Sequence, residues 1–282
     1  MDVKKAAAFL SIAALGAVAY LGASHDTSVL AKASGNLEIT RDVDYGPATL
    51  DLARPKDVAR PRPALLMIHP GGWVQGDKSA YHALMLQYAE LGYVTASVNF
   101  RPEPFPAPVD DCRRALRWLR ENATSHGIDP ARIGVLGWSS GAHLAALLAL
   151  SDGGVQAVVG FAGVYDFLIE TSGAFPNDEN DPVVSRFLGG PPRSNPDTAR
   201  KASPLHHLDA QDPPLLLFHG ELDRRIDVEQ ARRFAAALKA LGRDDEVILL
   251  PGVDHGRDVL PVDAESRERV RRFLARHLRP EK

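Results

Sequence analysis

The sequence predicts an α/β fold with a mostly parallel central sheet and helices on both faces, and three observations predict it. Short aliphatic and β-branched runs alternate with helical runs along most of the chain, the order expected of strands joined by crossover helices. Several of those runs, Ala64-Leu65-Leu66-Met67-Ile68 and Val155 to Ala162 among them, are continuously apolar, as in strands buried on both faces. One run, Ile133 to Leu136, passes through Gly137-Trp138-Ser139-Ser140-Gly141 straight into the alanine- and leucine-rich stretch Ala142 to Leu150, which reads as strand, sharp turn and helix.

In chain order, Met1 to Lys5 is a short basic segment, Ala6 to Ala23 is uncharged and almost wholly apolar, and Ala31-Lys32-Ala33 has the small-x-small form of a secretory cleavage site. Residues 1–33 are therefore expected to be a signal peptide, with an uncleaved membrane anchor as the alternative, since the apolar run approaches the roughly 18–20 residues that span a bilayer. Residues 34–282 are expected to form one domain. Leu37 to Tyr45 and Ala48 to Ala53 read as antiparallel strands around Gly46-Pro47, and the proline-rich Arg54 to Pro63 as a surface connection. After strand Ala64 to Ile68 come helix Ser79 to Leu91, strand Tyr93 to Phe100 and amphipathic helix Val109 to Thr124. Asp129-Pro130 marks a turn into strand Arg132 to Leu136. Beyond strand Val155 to Ala162 the pattern breaks from Tyr165 to Leu208, a cap-like insertion dense in Gly, Pro, Asn and Asp with an apolar island at Val183 to Leu188. Strand Pro214 to His219, helix Val228 to Leu241, strand Glu246 to Leu250 and a charged helix, Val262 to Leu278, complete the alternation.

Composition narrows the function classes. A formal net charge of −3 without a basic stripe argues against a nucleic-acid partner. The single cysteine, Cys112, cannot make an internal disulfide, and no Cys/His cluster has metal-ligand spacing. His206-His207 reads as a solvated pair in a polar loop. No cofactor, metal or organic, is expected.

The turn at Ser139 has the pattern Gly-x-Ser-x-Gly in the context that a nucleophile elbow requires. A serine hydroxyl needs a base to take its proton and a carboxylate to orient that base. Gly220-Glu221-Leu222-Asp223 follows strand Pro214 to His219, and Val253-Asp254-His255-Gly256 follows strand Glu246 to Leu250. Both positions lie at carboxyl ends of strands, where open α/β sheets place their sites. The expected catalytic set is Ser139, Asp223 and His255. Glu221 is the main rival for the acid, Asp227 reads as a helix cap, and Asp254 adjoins His255 too closely to face the same group. Gly71 and Gly72, after strand Ala64 to Ile68, can turn their amides inward and, with the Ser140 amide, form an oxyanion hole. His69 and Trp73 read as supports for that loop, and His143 as a packed histidine.

These segments together resemble the α/β-hydrolase fold, and within it the esterases related to hormone-sensitive lipase and bacterial feruloyl and acetylxylan esterases. The resemblance runs from about Val43 to the C-terminus and rests on His69-Pro70-Gly71-Gly72-Trp73, Arg101-Pro102 with Phe105-Pro106-Ala107-Pro108, Gly127-Ile128-Asp129-Pro130-Ala131-Arg132-Ile133, the Ser139 elbow, and the segments around Asp223 and His255. The matching positions in that family are nucleophile, acid, base and oxyanion amides. Pro70 departs from the glycine of many members; lacking an N–H, it cannot donate. The resemblance implies hydrolysis of short-chain or aryl carboxylic esters of acetyl or feruloyl type. The partner is then a small-molecule ester, or ester groups on plant polysaccharide, met in a secreted or periplasmic setting. The pattern His-x-Gly-x-Trp with Ser139-Ser140-Gly141-Ala142-His143-Leu144 is also similar to kynurenine formamidases, an amide-hydrolase alternative. A catalytically silent hydrolase fold used for binding is the alternative from another class. Phe167, Phe175 and Phe187 are the aromatic residues of the insertion available to shape an acyl or alcohol pocket, or to form small satellite cores.

Overall fold

A computed structural model describes residue 30 and residues 35–57, 60–169, 181–255 and 263–278. The expected leader, apart from Leu30, lies outside the described residues, as do Phe175 and Gly256. Eight strands make one sheet: β1 (Leu37–Asp44), β2 (Thr49–Pro55), β3 (Arg62–Ile68), β4 (Val94–Val98), β5 (Ile128–Trp138), β6 (Ala157–Phe161), β7 (Leu215–Gly220) and β8 (Glu246–Leu250), in the spatial order β1-β2-β4-β3-β5-β6-β7-β8. β1 pairs antiparallel with β2 and β2 with β4, and every other pair is parallel. The expected mostly parallel sheet is what forms.

The continuous apolar runs follow from burial on both faces. On β3, Ala64, Leu66 and Ile68 pack into one core and Leu65 and Met67 into the other, because successive side chains alternate across a strand. The first core is closed by helices α2 (Ala107–Glu121), α3 (Ser140–Asp152) and α6 (Glu229–Ala240), the second by α1 (His82–Glu90) and α7 (Ala264–Leu278). Leu144 to Ala149 of α3 are all buried, so this helix can be apolar around its circumference. Cys112 is free and buried in α2. Among the described residues no helix is long and apolar enough to cross a membrane.

Two segments differ from the sequence reading. Asp129-Pro130 lies inside β5, whose pairing with β3 jumps from Arg62↔Ile128 to Ala64↔Ile133. Asp129 Oδ1 accepts from the Ala131 N–H at 3.0 Å, and its other oxygen holds Arg132 Nε at 2.7 Å. The turn chemistry is real but makes a bulge within a strand rather than its boundary. The insertion, in turn, contains short helices among its described residues: α4 (Pro182–Leu188), α5 (Pro196–Ala202) and a 3₁₀ turn, Pro204–His207. Asp181 caps α4 by accepting from the Val183 and Val184 N–H groups at 2.8 and 3.2 Å, and Pro182 occupies the first helical position. The apolar island supplies Val184, Phe187 and Leu188 to the first core, joined there by Phe167. Neither histidine of the pair is merely solvated: His207 Nε2 lies 2.8 Å from the Lys201 carbonyl, and His206 Nε2 3.5 Å from Asp166.

Candidate active site

β3 has β4 on one side and β5 on the other, so the loops leaving β3 and β5 diverge at a switch in strand order, where open sheets form a crevice. The β5–α3 turn is built by close backbone approach. A Cβ on Gly137 would stand 2.2 Å from the Gly141 carbonyl oxygen, and one on Gly141 would stand 2.0 Å from the Ile68 carbonyl oxygen at the end of β3. Only glycine fits either position. Ser139 between them takes φ 55°, ψ −122°, a conformation costing a non-glycine residue about 1–3 kcal/mol. It is pinned by its N–H bond to the Phe161 carbonyl at 2.8 Å. The strain aims the hydroxyl out of the sheet edge.

Three predicted residues meet there. His255 Nε2 lies 3.1 Å from Ser139 Oγ, and His255 Nδ1 lies 2.8 Å from Asp223 Oδ2. Asp223 Oδ1 accepts the N–H groups of Arg225 and Ile226 at 2.9 and 2.8 Å. Burial pushes the Asp223 carboxyl up, but hydrogen bonds from His219 and His255 outweigh it and hold the group well below the usual carboxylate range. The carboxylate therefore stays charged, and His255 Nδ1 carries the hydrogen that faces it, leaving Nε2 free to accept from Ser139. The rivals are engaged elsewhere. Glu221 sits 3.9 Å from Arg232, Asp254 binds Arg224 and the His255 N–H, and Asp227 accepts the Glu229 N–H at the start of α6.

The loop after β3 curls back on itself, with Val74 and Gln75 donating to the Gly71 carbonyl. Gly71 and Gly72 have φ of 138° and 60°, and a Cβ on Gly71 would stand 1.9 Å from the Gln75 carbonyl oxygen. Among the described residues the N–H groups of Gly71 and Gly72 meet no acceptor. Ser140 is the first residue of α3, where N–H groups lack intrahelical partners and the helix end favours negative charge. Its own hydroxyl is buried without a partner among the described residues, so it does not compete with Ser139. His69, stacked on Phe100, bonds through Nδ1 to the Pro70 carbonyl at 2.8 Å. Trp73 Nε1 donates to His143 Nδ1 at 2.9 Å, and His143 Nε2 donates to the Ala202 carbonyl at 2.7 Å. His143 thus ties the glycine loop to the insertion. Phe167 and Phe187 pack on Trp73 rather than lining an open pocket.

The site has known counterparts. The BD-FAE family profile matches residues 50–238, which is two thirds of the sequence. The chain belongs to the BD-FAE family. Its members are α/β-hydrolase esterases. Esterase LipQ of Mycobacterium tuberculosis is 34% identical over 248 residues, covering 78% of this chain and 58% of LipQ. The chain thus spans less than two thirds of that curated relative. A truncated carbohydrate esterase from gut microbiota has the same fold, with a TM-score of 0.77 at 23% identity over 88% of this chain and 99% of that one. Esterase 2 of Thermogutta terrifontis with propionate bound is 25% identical, with a TM-score of 0.70 over 88% of this chain and 97% of that one. The same esterase has also been solved phosphonylated by sarin.

Two residues around this BD-FAE site were missed in the sequence. Trp138, the variable residue before the serine, donates from Nε1 to the His255 carbonyl at 3.2 Å and lies against the imidazole. Nothing in the motif marks it. His219, the penultimate residue of β7, lies within 3.3 Å of Asp223, and its signal was a polar residue closing the apolar run Leu215 to Phe218.

The packing of this BD-FAE chain can be tested at two points. Gly141→Ala drives a methyl into the Ile68 backbone, and should lower stability by about 1–3 kcal/mol or more and abolish most activity. Denaturant unfolding and ester turnover check it; a variant unchanged in both would refute the close-approach argument. Burial pushes both His69 and His143 down to about 4 from 6.5. The unfolded chain therefore binds more protons between those values, and stability falls as pH drops through them, by on the order of 3 kcal/mol per imidazole. His143→Gln should remove one proton from that dependence in denaturation series run from pH 7 to 4.

Proposed function

We propose that this chain is a serine carboxylesterase acting through an acyl-enzyme. The observation that carries the reading is the hydrogen-bonded line from Ser139 Oγ through His255 to Asp223 at a strained turn, beside a glycine loop with unengaged amides. In this reading Ser139 attacks the ester carbonyl as His255 Nε2 takes its proton. Asp223 stabilises the imidazolium and holds its tautomer. The amides of Gly71, Gly72 and Ser140 receive the oxyanion. His255 then protonates the leaving alcohol and activates the water that releases the acid. Phosphonylation of the related T. terrifontis esterase by sarin is the reaction expected of an activated serine.

The proposed substrates are short-chain or aryl esters, of the acetyl or feruloyl type, as small molecules or as ester groups on plant polysaccharide. Behind the glycine loop Trp73, Phe167 and Phe187 are fully buried against one another, and Val183 Cγ1 would stand 2.8 Å from a Cβ on Gly72. That side is filled, which favours a small acyl group. The propionate of the T. terrifontis esterase is an acid of that size. Export to a secreted or periplasmic setting is proposed from the basic and apolar segments of residues 1–33.

The test is hydrolysis of p-nitrophenyl esters from acetate to palmitate, methyl ferulate, acetylated xylan and N-formylkynurenine by the full chain. Short esters should be cleaved fastest. Ser139→Ala should lose roughly 10³-fold or more in turnover while remaining folded. Equal turnover in that variant would end the serine mechanism, and preference for N-formylkynurenine would replace the ester with an amide. No cleavage and no phosphonate labelling would leave a binding protein.

A further inference from the structure

The Asp223 carboxylate faces two imidazoles. Beyond His255 stands His219, whose side chain is fully buried at the end of β7. Its Nε2 lies 2.9 Å from the Ile226 carbonyl and 3.3 Å from Asp223 Oδ2. A carbonyl only accepts, so Nε2 carries the hydrogen and gives it to Ile226, with Asp223 Oδ2 the next oxygen beside it. Nδ1 is buried and meets no partner among the described residues. A buried nitrogen without a partner is a penalty that a leucine here would avoid, since the four preceding residues, Leu215 to Phe218, are all apolar. The polar edge must therefore serve the acid turn.

That turn, residues 223–226, hangs from few bonds. Asp223 Oδ1 holds the N–H groups of Arg225 and Ile226, and His219 holds the carbonyl of Ile226. The neighbouring arginines are directed outward, Arg224 onto Asp254 and Arg225 towards Asp181. We propose that His219 is a positioning residue for the reaction, fixing the rotamer of Asp223 and sharing its Oδ2 with His255. It acts through Asp223 and touches no reacting atom. The share matters because the charge left on Oδ2 sets how firmly His255 holds its proton. Removing the second donor should concentrate that charge on His255 and loosen the carboxylate at the same time.

This inference rests on Ser139, His255 and Asp223 acting as proposed above, and the measurement is read against a parental rate that Ser139→Ala abolishes. Survival of activity in Ser139→Ala would sink that earlier reading; the outcomes below bear on His219 alone. His219→Phe removes the donor and keeps the ring. His219→Gln places an amide nitrogen near the position of Nε2, and His219→Asn, one bond shorter, cannot reach it. With the full chain and p-nitrophenyl acetate, the Phe and Asn variants should lose about 10- to 100-fold in kcat with KM changed less than about threefold. The Gln variant should stay within about fivefold of the parent. The acid limb of the kcat/KM profile should move to higher pH in Phe and Asn and return in Gln. The rate of phosphonate labelling of Ser139 should follow the same order, so the result does not depend on choosing the right ester. If Phe does not fold, the Gln–Asn contrast carries the test. Gln falling as far as Asn, or an acid limb that stays in place in the impaired variants, would overturn the proposal.

Discussion

The arrangement at the carboxyl edge of the sheet depends on how closely three backbone segments approach at the β5–α3 turn. Gly141 lies against the end of β3, Gly137 lies against Gly141, and Ser139 is forced into positive φ between them. The same contact that presents the hydroxyl also places the loop leaving β3 beside it. The proposed nucleophile and the glycine loop therefore share one constraint, and the spacing of β3 and β5 cannot relax without disturbing both. Parallel pairing of Ile68 with Gly137 supplies that spacing.

The glycine loop has little strength of its own, since two of its residues have no side chains and Trp73 too sits at positive φ. It is held at two points that follow the glycines. At the first, Trp73, His143 and the Ala202 carbonyl form a chain that fixes the loop to α3 and α5. At the second, Lys78 binds Asp51 at 2.7 Å, and Asp51 binds His82 at 2.7 Å, all three buried. Burial raises the Asp51 carboxyl, while bonds from His82 and Lys78 bring it below its ordinary value. Breaking such a pair leaves a charge stranded in the core, which makes the anchor specific even where its net contribution is small. The insertion is thus a brace for the glycine loop.

What was legible in the sequence was whatever leaves a local mark. Strands buried on both faces announce themselves as unbroken apolar runs, and the elbow by its paired glycines between a strand and a helix. Ser139, Asp223 and His255 were found because each follows a strand end, and the structure brings them within hydrogen-bonding distance of one another. The β5 bulge was misplaced because Asp-Pro signals a turn without saying whether the ladder resumes beyond it. The helices of the insertion were hidden by their shortness; seven residues cannot show a convincing period, and their apolar side chains are spent on a shared core. His219 and Trp138 were missed for a deeper reason. Trp138 acts on a residue that follows a different strand, and His219 acts on Asp223 and Ile226 in the loop directly after its own strand, where the residue types alone do not mark the contact.

The proposed acid and base are also unequal in how they are supported. Asp223 follows the interior strand β7, whereas His255 follows β8, an edge strand whose residues are all partly exposed. The imidazole must nevertheless be held to within about half an ångström of its productive position. It is held by borrowing from the acid loop: the Glu221 N–H donates to the Leu250 carbonyl, the Leu222 N–H to the Val253 carbonyl, and Arg224 grips Asp254 next to the base. Trp138 then ties the His255 carbonyl back to the residue preceding the nucleophile. The described parts of the two carboxyl-end loops are therefore bonded to each other, and the tryptophan registers them against the elbow. Glu221 and Asp254, the alternative acids by sequence, serve in the bonded loops that position the acid and base. Their nearness to the site in sequence reflects that supporting role.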